Sequence, residues 1–188
     1  GERATLAALH TQGLRLRSAG GELRTDVRAT EDPAQLGPQN LVVVAVKGPA
    51  MPDVAARIAP LLGPDTMVLT AMNGVPWWFF SGMPGPCAGL ALRTLDPAGT
   101  IAAAIPFRHV IGCVVHASCK SPEPGVVQHV MGQGLIIGEP AGGDSPRVTA
   151  LAAALADARF DCQVSQRVQQ DIWYKLWGNM TMNPVSAF

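Results

Sequence analysis

The hydrophobic pattern of the chain changes period several times, and each change predicts an element. Residues 4–11 have a helical spacing that Gly13 closes, in the usual C-terminal glycine position. Alternation in 14–17 and 23–29, on either side of Ser18-Ala19-Gly20-Gly21, predicts a hairpin. After a turn at Thr30-Glu31-Asp32-Pro33 comes the strongest strand signal, 40–47, which is β-branched and apolar on both faces as a central parallel strand is. Residues 52–62 fit an amphipathic helix ended by Gly63-Pro64, and 67–71 a second buried strand that runs into Asn73-Gly74. Strand, helix and strand within about thirty residues make a βαβ crossover, and hence a doubly wound α/β sheet. The Gly- and Pro-rich stretch 82–99 reads as a surface loop or insertion. Beyond it, 110–115 reads as a strand, and 125–130 with 135–137 as a hairpin. Ser145-Pro146-Arg147 starts a helix reaching about Ala158, with serine as cap and proline in the first turn. A short strand at 161–164 and a helix from Gln166 to about Met182 complete the pattern.

Composition narrows the function. With 188 residues, 48% of them hydrophobic, the chain is long enough for one buried core and a second small element. Lys and Arg (14) balance Asp and Glu (14), so no basic excess is available to hold a nucleic-acid backbone, and a small ligand is easier to accommodate. The apolar run 41–46 is far shorter than the roughly 20 residues a bilayer span needs, and no basic-then-apolar leader opens the chain. Cys87, Cys113, Cys119 and Cys162 form no C-x-x-C pair and no metal-like cluster with histidine, which reads as reduced thiols of a cytoplasmic protein with no metal. Both ends read as cut. The chain opens on a helix start with no preceding strand, and Asn183-Pro184-Val185-Ser186-Ala187-Phe188 closes it inside an apolar pattern.

The last helix carries the chemistry. Lys175, Asn179 and Asn183 are four apart and share one stripe, with Trp173, Leu176, Trp177 and Met180 around it. One account is a solvated face with the tryptophans buried opposite. The other is a site, with an ammonium to give a proton or hold a growing oxyanion and amides to orient a polar substrate. Spacing alone does not choose between them.

The run Trp173-Tyr174-Lys175-Leu176-Trp177-Gly178-Asn179-Met180-Thr181-Met182-Asn183-Pro184-Val185-Ser186-Ala187 resembles the W-x-K-L-x-x-N-x-x-x-N-P-x-S-A signature of ketopantoate reductases. Three further stretches agree in order: 41–47, similar to the family strand ending in V-K; Asn73-Gly74 after the next strand; and Pro124-Gly125-Val126-Val127-Gln128-His129 with Ile137-Gly138-Glu139. The resemblance implies an incomplete Rossmann-like doubly wound domain over 1–165, followed at 166–188 by the first helix of an all-α C-terminal domain. It implies NADPH as cofactor and a small 2-keto acid, 2-dehydropantoate, as substrate on the way to pantothenate and coenzyme A. It makes Lys175 the general acid toward the ketone oxygen and gives Asn179 and Asn183 to the substrate. Lys47 and Asn73 go to the cofactor, at carboxyl ends of parallel strands where open α/β sheets bind ligands. Ser118 corresponds to a position whose backbone meets the cofactor. For Lys47 the plain alternative is a strand-end lysine reaching solvent, and for Asn73 an Asn-Gly turn. His116 and His129 read as satisfied strand residues, and Trp77-Trp78-Phe79-Phe80 as core packing, a cleft lining, a cover over the nicotinamide or a subunit contact in a homodimer.

The same resemblance exposes absences. No strand followed by G-x-G-x-x-G occurs in the chain, and Gly132-Gln133-Gly134 lacks the third glycine. The expectation is therefore a sheet with a gap or exposed edges, and a chain that alone binds NADPH poorly and turns over little. A non-catalytic paralogue, serving as a nucleotide-sensing or dimerising module, is the second reading. A hydroxyisobutyrate- or phosphogluconate-type dehydrogenase shares K-x-x-x-N but is not expected to continue into Asn-Pro-Val-Ser-Ala.

Overall fold

The structure is a computed structural model that describes residues 2–186, leaving out the side chains of Glu2, Asn183 and Ser186. In chain order its main elements are α1 (Glu2–Gln12), β1 (Leu14–Ser18), β2 (Gly21–Thr25), β3 (Gln39–Val44), α2 (Met51–Arg57), β4 (Leu62–Thr70), α3 (Thr100–Ala104), β5 (Val110–Lys120), β6 (Val126–Gly138), α4 (Pro146–Asp157), β7 (Asp161–Val164) and α5 (Val168–Ser186). Among the described residues seven strands form one sheet in the order β2-β1-β6-β5-β4-β3, with β7 also on β6. Strands β3, β4 and β5 run parallel, as do β1 and β7 with β6, whereas β1–β2 and β5–β6 are antiparallel. The expected βαβ unit is β3-α2-β4, and the first hairpin is β1–β2.

Side-chain alternation along β4 and β5 divides the core in two. Val68, Val110 and Val114 face α2, α3 and α5, in a cluster with Met51, Ile105 and Trp78. Leu69, Ile111 and Cys113 face the other way, against Val148 and Leu151 of α4. Both faces of the parallel part are therefore covered, which explains the apolar runs in its strands. Arg147 of α4 closes the second layer by a bidentate pair with Glu139, at 2.6 Å from each oxygen, directly after β6.

Four expectations are corrected. The run 40–47 was expected at the centre of the sheet, but β3 is an edge, with Val43 51% exposed. Of the two expectations, a gap or an exposed edge, the described strands show an exposed edge at β3 and no gap. The hairpin expected within 125–137 is instead the single strand β6, and its partner is β5, extended past Val115 to Lys120. Gly132 and Gly134 suggested a turn, but they serve a bulge: Gly132 has φ +76°, and a Cβ there would lie 2.3 Å from the His116 carbonyl oxygen, where the register shifts. The helix expected over 52–62 breaks into α2 and a 3-10 turn, Ala59–Leu61. The last helix begins two residues later than expected and continues through Pro184 to Ser186.

The base of α5 is fixed by one backbone and two side-chain hydrogen bonds. Ser165 donates its N–H to the Ile137 carbonyl at 2.7 Å, its hydroxyl bonds to the Asp171 carboxylate, and Gln169 reaches the Pro140 carbonyl. Val168 then sits against Gly112 of β5, where a Cβ would be 2.7 Å from Val168 Cγ1 and 2.9 Å from Trp78 Cη2. Neither neighbour is a flexible chain end. Gly112→Ala is expected to lower stability by about 1–3 kcal/mol through overpacking, read as a fall in the urea midpoint at unchanged slope. An unchanged midpoint refutes this account of the helix base.

Candidate active site

Val168 and Ile172 are buried on one stripe of α5, and the next turn of that stripe carries Lys175 to the sheet. Its amine donates to Asn73 Oδ1 at 2.7 Å and to the carbonyl oxygen of Val115 in β5. Asn73 reaches this point because the chain turns immediately after β4. Thr70 Oγ1 bonds to the Ile111 carbonyl at 3.1 Å, Met72 N–H returns to the Thr70 carbonyl at 2.9 Å, and Gly74 takes φ +88°. The amine therefore lies just beyond the carboxyl end of β4, beside the middle of β5 and past the part of β5 that pairs with β4, on the side where open α/β sheets bind ligands. A shallow hollow opens there, lined by Asn73, Cys113, Ile172, Lys175 and Asn179 among others.

Lys175 and Asn179 thus share one hollow, as their spacing predicts, and Asn73 joins them as a direct partner of the amine. The side chain of Asn183 lies outside the described residues, although its backbone continues the same helix. Lys47 is exposed and precedes a 3-10 turn at Gly48–Ala50. Its neighbour Gly48 lines a second hollow of about 550 Å³, which shares Met72, Asn73, Gly74, Cys113 and Ile172 with the first. Ser118 is exposed on β5 opposite Met131 and lines neither hollow. The account with buried tryptophans fails: Trp173 is 57% and Trp177 64% exposed, and Trp173 only leans on Phe79, with ring centroids 6.4 Å apart. His129 is satisfied by the Gly132 carbonyl at 2.7 Å.

Two contributors could not be read from residue types. The Val115 acceptor is backbone, for which no side-chain signal exists. Cys113 looked like an ordinary strand residue, yet it is buried and borders the hollow, with its side chain packed on the α4 face of the sheet. Burial, reinforced by nearby Cys162 and opposed by Lys175, pushes the Cys113 thiol up to about 12, so it is neutral at physiological pH. Burial is also the leading cause at Lys175 and holds its amine below the ordinary lysine value, with Cys113 acting weakly the other way.

The sign of the pH dependence follows. Lys175 loses its proton at lower pH than a free lysine side chain, and any proton donation from it fades as pH rises through that lowered value. An accepting amide favours the charged form, so Asn73→Ala is expected to move the titration lower still. The chain has three lysines, so NMR of the ¹³C-dimethylated side chains can read Lys175 alone. Titration of Lys175 at or above the free-lysine value sinks the expectation.

Three comparisons bear on this geometry. The family model described as Ketopantoate reductase PanE/ApbA matches residues 1–78. A 2-dehydropantoate 2-reductase of Mesorhizobium japonicum is 42% identical over 184 residues, which is 98% of this chain and 56% of that protein. The crystal structure of a protein from Ralstonia solanacearum MolK2, described as a candidate ketopantoate reductase, is 57% identical with a TM-score of 0.93, over 97% of this chain and 57% of that one. A 2-dehydropantoate 2-reductase from Geobacter metallireducens GS-15 aligns at 26% identity and TM-score 0.74, over 90% of this chain and 50% of its own. The chain spans about half the length of the relatives it matches. The segment around Lys175 lies beyond the family-model match but within the long alignments, and together they make the chain similar to ketopantoate reductases over nearly its whole length.

Proposed function

We propose that this protein reduces 2-dehydropantoate, or a related 2-keto acid, to the 2-hydroxy acid with NADPH, a step toward pantothenate and coenzyme A. The observation that carries the proposal is the half-buried Lys175 amine, held by Asn73 just beyond the end of β4 and by the Val115 carbonyl of β5, with Asn179 one turn away in the same hollow. In this reading residues 1–165 form the cofactor side, and 166–188 begin a helical substrate unit.

The strand ends fit a nicotinamide. Gly48 and Gly74 line the larger hollow, and a Cβ at either would meet nothing within 4 Å, so backbone and open space face a flat ring there. Asn73 lines that hollow and Lys47 precedes its Gly48, whereas Ser118, which lines neither hollow, is assigned to the cofactor on the family resemblance alone. When bound, NADPH supplies the hydride that the carbonyl carbon accepts.

The chain's own residues do the rest. The ketone oxygen takes a hydrogen bond from the Lys175 ammonium, which transfers its proton as negative charge grows on that oxygen. The interaction is stronger in the transition state than with the neutral ketone, so it lowers the barrier and not merely the binding energy. Asn73 and the Val115 carbonyl hold the amine in place, so little ordering remains to be done at the moment of reaction. A lowered pKa makes the ammonium a better acid near neutrality. Asn179 orients the polar end of the keto acid, and Asn183 is assigned the same task.

Lys175→Ala in the full-length protein is expected to lower kcat with 2-dehydropantoate by about 10²–10⁴-fold while NADPH affinity stays within a few-fold. Unaltered turnover refutes the assignment, and an absence of turnover in the unmodified protein leaves the sensing or dimerising module. The 188-residue chain alone contains no G-x-G-x-x-G turn to receive the pyrophosphate. It is expected to bind NADPH more weakly than micromolar in a nicotinamide-fluorescence titration, and micromolar binding overturns that expectation.

A further inference from the structure

The Gly- and Pro-rich stretch 82–99 is tied to the rest of the molecule near its end. Leu92 packs on the core cluster that contains Trp78, and the N–H groups of Leu95 and Asp96 then return to the Leu92 carbonyl at 2.9 and 3.0 Å. Asp96 is 8% exposed, and its carboxylate accepts from the N–H groups of Ile101 at 3.1 Å and Ala102 at 2.9 Å in α3. Leu95 stands between these anchors, so its backbone is held from both sides. Its side chain is nevertheless 42% exposed, and among the described residues it is the one member of 82–99 that lines the larger hollow. It does not border the hollow at Lys175, and Lys175 does not border the larger one.

A single open leucine on a convex surface is ordinary. A leucine held at the wall of a concavity differs, because a ligand that covers it buries apolar area without first ordering a loop. We infer that Leu95 is a wall of the cofactor site, which packs its side chain on the nicotinamide ring and keeps water from it. The inference rests on the reading that seats the nicotinamide in the larger hollow, and deepens it by naming a contact outside the strand ends and α5. The reduced ring suits such a wall, since it is flat and uncharged, and Met72, Val75, Pro76 and Ile172 supply further apolar lining.

The test uses the full-length protein and follows NADPH by nicotinamide fluorescence, with 2′-phospho-ADP-ribose measured by displacement of NADPH. Leu95→Ala is expected to weaken NADPH binding about three- to tenfold, as removal of one partly covered leucine side chain implies. The ligand 2′-phospho-ADP-ribose, which has no nicotinamide, is expected to bind as before, and that also shows the variant to be folded. Leu95→Met keeps the apolar volume and is expected to hold NADPH within about twofold of the unmodified protein. Unchanged NADPH affinity in Leu95→Ala overturns the inference. An equal loss for NADPH and 2′-phospho-ADP-ribose overturns it as well, because it marks a general effect of the loop. So does a change confined to the KM of the keto acid, which gives Leu95 to the substrate.

Should Leu95→Ala not fold, the ¹³C-methyl resonances of Leu95 in the unmodified protein decide. The inference requires them to shift with NADPH and not with 2′-phospho-ADP-ribose. Failure of the reductase reading is separately visible: the unmodified protein then binds NADPH but reduces no 2-keto acid, and the affinities still decide on Leu95. An unmodified full-length protein that does not bind NADPH overturns both.

Discussion

The contact between Val168 and the bare backbone of Gly112 sets the position of everything chemical in this chain. A helix laid on a sheet is normally held off by side chains from both partners, at about 10 Å. Here β5 offers a hydrogen atom where a Cβ would collide with both Val168 and Trp78, and β6 does the same at Gly138, where a Cβ would be 2.6 Å from the Ser165 carbonyl. The first turn of α5 therefore seats directly on two adjacent strands, and each further turn rises by a fixed increment. Two turns on, the Lys175 amine reaches Asn73 and the Val115 carbonyl. The acid is thus placed by packing at its root, and the hydrogen bonds at its tip only complete what that packing begins.

Much of this was legible because it depends on period and on spacing. The β3-α2-β4 crossover came from apolar runs broken by a helical one, the bounds of β7 matched residue for residue, and the pairing of Lys175 with Asn179 needed only the helical repeat. What was not legible depends on partners distant in sequence. Gly132-Gln133-Gly134 has turn composition, but β5 lies close enough for a bulge to use the same glycines, and no local signal separates the two uses. Residues 40–47 have the composition of a central strand, whereas their place in the sheet depends on which strands are there to pair with them. Asn73 was assigned to the cofactor from its strand-end position. That it holds the amine depends on a contact across 102 residues of chain.

The exposed tryptophans show how composition can mislead. Two tryptophans on a helix suggest a buried face opposite a polar one. In α5 the covered stripe is Val168, Ile172, Leu176 and, half-covered, Lys175 and Asn179, whereas Trp173, Trp177 and Met180 lie off that stripe and are open.

Lys175 stands on the covered stripe of α5 between the buried Ile172 and the half-covered Asn179, and that intermediate burial gives it properties a site needs. Deeper in, at the level of Ile172, an ammonium would be forced neutral by desolvation, and a neutral amine is no acid. Farther out, at the level of Asn179 and beyond, water would screen its charge and compete for the ketone oxygen. At Lys175, burial lowers the proton affinity, two fixed acceptors keep the charged form available, and the open hollow lets a substrate enter and the proton be replaced. A one-turn displacement of the helix in either direction would lose one of these conditions, so the position of the amine and its acidity trace to the same close approach at Gly112.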